Sequence, residues 1–504
     1  MKRRDFLKLS AGSLFLNAGI SSFFSQTAQA ENIQLPTGFP TSIPKILINV
    51  TLDGGPDLRH LMPPKYDSNP NSYGYLYWKY RANAHAIAQH ETAYQARWEN
   101  DFLKPSKKLA PAGKEFGILN NSQWLFDQWE SGNLAIINNA LGSNSRDHAH
   151  SLLVLEQGNR NASPHDLDRA GWGGRLAAAI QSKLQSDQST IVSRIASLTP
   201  EVRRFSYCPH PTDPRKHLNN LVIDCHNLRE MGLYDPAAIN ANASVTGLSS
   251  IMSRSLKAYY AAKRDEIDKN SPYFKFIQHE QDLRNFGELI RARLIGANPE
   301  SPLISTPPVL RALVDEQYAQ QNNLPTINSN GFGEQIMNLY DALACQDILN
   351  FRVVSMAYRG WDSHKNQKRY IEQRFYDLFG DKGAISTLYS LLPSSITDQF
   401  VWVFSGEFGR QLKANGDNGT DHGRGNSVLV VGKAVSGGLY GDLFSQAELD
   451  RIETRSPDII GQTAIERIFA TVCEIIEPNT GNVVFSNVDA MPLETNVAPQ
   501  LFLA

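Results

Sequence analysis

The chain has 504 residues, 41% of them hydrophobic and 20% charged, with a formal net charge of −2. These values are ordinary for a globular protein, and no polybasic stripe is present for nucleic acid. Beyond residue 30 no apolar run approaches the roughly 20 residues needed to span a bilayer, which argues against a stable membrane anchor.

Residues 1–30 read as a twin-arginine export signal. Lys2-Arg3-Arg4-Asp5-Phe6-Leu7-Lys8 matches the twin-arginine consensus, and a diluted apolar run covers Leu14 to Phe24. Ala28-Gln29-Ala30 is a small-x-small cleavage signature. The expected partner during export is the twin-arginine translocase, and the expected location is the periplasm or the exterior. That route carries folded proteins, so a metal loaded before export is expected. No Cys follows the cleavage site, so a lipoprotein anchor is not expected. About 470 residues remain, enough for one large α/β domain with insertions.

Residues 31–44 form a linker, Pro-bearing from Leu35 to Pro44, and 45–475 form the domain. The first strong strand, Lys45 to Leu52, ends in Asp53-Gly54-Gly55-Pro56-Asp57. A continuous apolar strand that ends in an acidic, glycine-rich turn suits a parallel sheet buried on both faces. Ligands of such sheets gather at the carboxyl ends of the strands. An insertion near 60–110 carries Tyr66, Tyr73, Tyr75, Tyr77, Tyr80 and Trp78, read as packing of an irregular segment rather than a substrate wall. A second strand, Leu134 to Ala140, runs into Gly142-Ser143-Asn144-Ser145-Arg146-Asp147-His148 and a helical stretch ending at Gly158. Gly171-Trp172-Gly173-Gly174-Arg175 precedes another helix.

A second insertion, near 200–340, is polar and largely helical, for example Ser249 to Arg293. Strand Phe351 to Ala357 then leads to Gly360-Trp361-Asp362-Ser363-His364, followed by a helical segment from Gln367 to Leu392. Strand Gln399 to Phe404 leads to Ser405-Gly406-Glu407-Phe408-Gly409-Arg410. After a Gly/Asn loop come Thr420-Asp421-His422-Gly423-Arg424-Gly425 and strand Ser427 to Val431. The tail, 476–504, is loop-rich and expected to wrap the surface. None of the four cysteines forms a CxxC pair. In an exported protein Cys208 and Cys225 could close a short disulfide loop, whereas Cys345 and Cys473 read as buried thiols.

Acidic and His residues recur where apolar strands end: Asp53, Asp57, Asp147, His148, Asp362, His364, Glu407, Asp421 and His422. Strand ends that meet at one sheet edge would bring them together. Mixed carboxylate and imidazole ligands suit Zn or Mn, or Ca and Mg where oxygen dominates, as one or two divalent ions. The expected ligands are Asp53, Asp362, His364, Glu407, Asp421 and His422. Asp362 and His364 alternate at period 2, so both can face one side of an extended segment. Arg410 and Arg424 could fork onto an anion. Plainer roles stand beside these: Asp53 shaping a turn, Glu407 bridging Arg410, His148 capping a helix.

The order of LDGGPD, a His-bearing segment ending in Gly158, GWGGR, GWDSH, SGEFGR and TDHGRG resembles an exported family catalogued only as a domain of unknown function, number fifteen-hundred-and-one. The resemblance covers roughly residues 45–450 and looks like a distant branch of the alkaline phosphatase and sulfatase superfamily. It implies a three-layer α/β fold with a mostly parallel central sheet and helices on both faces. It implies an Asp at the end of the first strand, here Asp53, and a late Asp/His set drawn from Asp362, His364, Glu407 and His422. The superfamily's Asp-His pair is matched either by Asp421-His422 or by Glu407 with a separate His422. A nucleophile is implied at a helix N-terminus after the second strand, where Ser143 and Ser145 are the nearest hydroxyls and Ser145 is taken. The implied activity is metal-dependent hydrolysis of phosphate or sulfate esters, with Ser145, His148, Arg410 and Arg424 as catalytic residues. Many relatives carry Ser-His where this chain has Asp147-His148, and the formylglycine signature of sulfatases is absent. The rival expectation is a non-catalytic exported protein of the same fold that binds a glycan or envelope component.

Overall fold

The computed structural model describes residues 38–111, 113–189, 191–229, 286–287, 289–296, 302–327, 331–455, 457–495, 497 and 501–503. The expected export signal and most of the expected helix from Ser249 to Arg293 lie outside the described residues.

Nine strands form one sheet: β1 (Ile46–Asp53), β2 (Leu134–Leu141), β3 (Arg194–Ser197), β4 (Val222–Asp224), β5 (Phe351–Arg359), β6 (Phe400–Ser405), β7 (Asn426–Val431), β8 (Gly438–Tyr440) and β9 (Thr463–Ala464). Their spatial order is β8-β2-β7-β6-β1-β5-β3-β4, with β9 also on β2. β1 lies between β6 and β5 and is parallel to both. The parallel run continues through β3 to β4. Only β7 runs against its neighbours, between β6 and β2. The sheet is therefore mixed and mostly parallel, in an α/β arrangement.

Both faces are covered, which is why the central strands read as continuous apolar runs rather than as alternating ones. Ile46, Ile48, Val50 and Leu52 of β1 pack on one face and Leu47 on the other, at the strand period of two. The first face is covered by α1 (Tyr73–Arg81), α2 (Glu91–Asp101), α3 (Gln123–Ser131), α6 (Phe332–Ala344), α7 (Gln367–Phe379) and α8 (Ala384–Leu391). The second face is covered by α4 (His148–Gln157), α5 (Trp172–Ser186) and α9 (Ile465–Ile476). The segment expected to be one helix from Gln367 to Leu392 is two, because α7 ends at Gly380 and α8 starts after Gly383.

Of the aromatic residues named in the first insertion, Tyr77 and Trp78 are buried in the core, and Tyr66, Tyr73, Tyr75 and Tyr80 are partly buried. Trp78 and Trp98 are buried and meet edge to face at 6.5 Å between ring centroids. Two expectations change. The end of the chain does not simply wrap the surface, because Leu501 and Phe502 are buried and Val435 bridges Leu503. Cys208 and Cys225 are free and buried, and they pack on opposite faces of the sheet, so no disulfide joins them.

Candidate metal centre

The carboxyl ends of β5, β1 and β6, three adjacent parallel strands, bring the acidic and histidine-bearing loops together. Gly54 follows β1 with φ +120, and a Cβ there would stand 2.4 Å from the Asp362 nitrogen. Only glycine lets the loop after β5 approach so closely. The Gly360 and Trp361 N–H groups donate to the Asp53 carbonyl at 3.2 and 3.0 Å. The loop after β6 is tied in by Glu407, whose carboxylate accepts from the Gly54 and Gly55 N–H groups at 2.8 and 3.1 Å. Arg410 is 1% exposed and fastens all three loops. It donates to the carbonyls of Gly55, Thr420 and Trp361 and to the Asp362 carboxylate.

Three imidazoles converge on Asp362. His422 Nε2 lies 3.0 Å and His364 Nε2 3.2 Å from Asp362 Oδ1, while His148 Nε2 lies 3.7 Å from Oδ2. Each ring is oriented from behind. His148 Nδ1 donates to Glu407 at 2.9 Å, His364 Nδ1 to Asp421 at 3.2 Å, and His422 Nδ1 to the Arg146 carbonyl at 2.9 Å. A carbonyl or carboxylate there can only accept, so with a cation on the Asp362 side each neutral ring would keep its proton on Nδ1 and turn the Nε2 lone pair to the ion. The Nε2 atoms of His364 and His422 are 2.9 Å apart. Two lone pairs at that distance, both facing a carboxylate oxygen, repel one another unless a cation lies between them.

That donor chemistry fits a divalent metal. His148, Asp362 and His422 bring their ligand atoms within 4.8 Å of one another, with His364 beside His422, and two or three imidazole nitrogens with one carboxylate suit Zn or Mn better than Ca or Mg, which prefer all-oxygen sets. The acceptors behind the rings are the outer shell that fixes tautomer and orientation in metal-binding histidines. Side-chain exposure of 43% for Asp362 and 47% for His148 leaves the centre open to solvent. The electrostatics agree. Burial works against the Asp362 carboxylate, but the hydrogen bond and the charge of Arg410 oppose it, and its pKa lies below the usual range. Burial lowers the pKa of His422 and keeps it neutral, as a ligand must be. The hydrogen bond to Glu407 raises that of His148. Hydrogen bonds from Asn415 and His364 lower that of Asp421, again against partial burial.

The expected residues divide. Asp362, His364 and His422 meet, and His148, expected among the catalytic residues, joins them through Asp362 and Glu407. Glu407 and Asp421 stand behind His148 and His364. Asp53 is elsewhere engaged: Arg203 grips its carboxylate at 2.9 and 2.8 Å and reaches on to Glu156 of α4. Arg410 is a buried staple, not an open anion fork. Arg424 is 51% exposed and stands 3.3 Å from Asp458. Ser145 Oγ accepts from the Asp147 N–H at 3.0 Å. Asp147 caps α4 through the His150 N–H, and buried Asp57 pairs with Arg81. The sequence reading missed Arg146, Arg203 and Asp458. Arg146 lies inside the quoted loop, but its contribution is a carbonyl, which carries no residue signature.

Residues 317–459 match the model of a family described as Protein of unknown function (DUF1501), which supports the family resemblance read from the motifs. That span contains Asp362, His364, Glu407, Asp421 and His422 but not His148. No curated protein matches the chain.

Proposed function

We propose that this chain is an exported, metal-dependent hydrolase of phosphate or sulfate esters on an alkaline-phosphatase-like fold. The observation that carries the reading is the convergence of three imidazole Nε2 atoms on Asp362 at an edge open to solvent. A divalent ion in this donor set supplies Lewis acidity and lowers the pKa of water bound to it. The chain's own residues hold and orient. Glu407, pinned by the Gly54 and Gly55 N–H groups, fixes His148. Asp421, pinned by Asn415, fixes His364. Arg424 offers a partly exposed guanidinium to an ester oxyanion. The attacking group in this reading is water and not Ser145, whose Oγ accepts from the Asp147 N–H in the turn before α4 and, among the described residues, has no imidazole or carboxylate hydrogen-bonded to it.

The test is turnover of aryl phosphate mono- and diesters and aryl sulfates by protein loaded with Zn or Mn. Turnover lost in His422→Ala and kept in Ser145→Ala is expected. Fully metallated protein that hydrolyses none of these esters would return the chain to the binding-protein reading. Export belongs to the same proposal: replacing Arg3 and Arg4 with Lys should trap the precursor in the cytoplasm, and undiminished export would remove it.

A further inference from the structure

Three arginines share one carboxylate beside the candidate metal centre. Asp458 Oδ2 accepts from Arg146 Nη2 at 2.8 Å and lies 3.3 Å from Arg424 Nε, while Oδ1 lies 3.6 Å from Arg451 Nη2. The Asp458 side chain is 4% exposed, whereas those of Arg146, Arg424 and Arg451 are 33%, 51% and 41% exposed. Among the described residues these arginines form no other ion pair. One carboxylate balances one guanidinium and leaves two positive charges facing solvent. Holding a loop to Asp458 requires one such partner. Three like charges gathered on one anion repel each other, and a guest anion relieves that repulsion.

The cluster is tied to the centre by the main chain. The Arg146 carbonyl is the group that takes the His422 Nδ1 hydrogen at 2.9 Å. Arg424 is two residues beyond His422. A Cβ on Gly423, the residue after His422, would stand 3.1 Å from the Asp458 Cβ. Asp458 also bridges Gln411, next to Arg410.

We propose that Arg146, Arg424 and Arg451 form a recognition site for a doubly charged oxyanion, of the kind a phosphate monoester carries, at the rim of the metal centre. Two uncompensated charges match a phosphate monoester, which carries about −1.5 to −2 at neutral pH. A sulfate ester or a phosphodiester carries one negative charge and satisfies half of the site. Guanidinium forks also fit the spacing of tetrahedral oxygens. The proposal rests on the hydrolase reading only in treating the guest as part of a substrate; anion binding itself needs no ion at the centre.

The experiment is calorimetric titration of the full chain, stripped with chelator, with phenyl phosphate and with phenyl sulfate at low ionic strength. Phenyl phosphate should bind at least about tenfold more tightly than phenyl sulfate. The double variant Arg146→Gln, Arg451→Gln should bring the two ligands level. Arg451→Gln alone leaves Arg146 and Arg424 on Asp458, so its fold is secure, and it should weaken phenyl phosphate severalfold while sparing phenyl sulfate. Equal affinities in the parent protein, or an unchanged preference in Arg451→Gln, would overturn the proposal. Phenyl phosphate binding that appears only once metal is restored would also overturn it, while leaving the hydrolase reading intact. The expected preference in a protein that never takes up metal would sink the hydrolase reading and leave this site standing.

Discussion

His364 Nε2 and His422 Nε2 face each other across 2.9 Å, and each ring has already given its Nδ1 hydrogen to another acceptor. The pair is costly without a cation and favourable around one. Asp362 faces both rings and forms a close group with His422 and His148, and the neighbouring carboxylates are engaged: Glu407 and Asp421 behind the rings, Asp53 on Arg203.

One ion is therefore expected at this centre, not two. Elemental analysis of protein purified from its native compartment should give one equivalent of Zn or Mn. His422→Ala and His364→Ala should each lose it, and Asp53→Asn should keep it. Loss of metal in Asp53→Asn would show that Asp53 is a ligand after all.

Metal affinity should rise with pH through the titration of His148. The hydrogen bond to Glu407 and its charge outweigh partial burial and raise the pKa of His148 above the usual 6.5. In the metal-free protein the charged ring is stabilising below that usual value, and its contribution is lost as pH rises through the higher folded value. A proton therefore competes with the ion at a higher pH than for an ordinary imidazole. Competition with a chromophoric chelator between about pH 5.5 and 8.5 reads this directly. Glu407→Gln should move the rise to lower pH; an unmoved profile would detach His148 from the centre.

Arg203→Ala should destabilise the fold without emptying the centre. It strands Glu156, whose side chain is 3% exposed, and frees Asp53 at the end of β1. Breaking such a buried pair costs about 3–5 kcal/mol, which urea denaturation measures. Arg203→Lys should restore little, because a single ammonium cannot grip Asp53 with two hydrogen bonds and reach Glu156 as well.

All four cysteines should titrate as free thiols in denaturant and none should react in the native protein. Burial pushes the Cys208 thiol up to about 12 and holds Cys225 well above its usual value, so neither is a thiolate at neutral pH. Two thiols in denaturant instead of four would restore the Cys208–Cys225 disulfide.

The central strands were legible in the sequence, because a strand covered on both faces must be apolar throughout and must end where polar residues begin. Lys45 to Leu52 as read is Ile46–Asp53 as folded, and Gln399 to Phe404 is Phe400–Ser405. The alternation of Asp362 and His364 was legible for the same reason: Ser363 between them turns inward to Gln367. Roles within the site were not legible. Residue type makes Asp53, Glu407 and Asp421 equivalent carboxylates, and Arg410 and Arg424 equivalent cations. Which of them a buried arginine, a peptide N–H or a ring nitrogen claims depends on chain brought in from far away in sequence, as Arg203 is brought to Asp53 and Glu407 to Gly54. The sequence by itself therefore determined the α/β layering and the loops that carry the chemistry. Only the tertiary structure decided which side chains meet at the candidate centre and which stand behind them, because hydrogen bonds are directional and each donor or acceptor can be spent only a limited number of times.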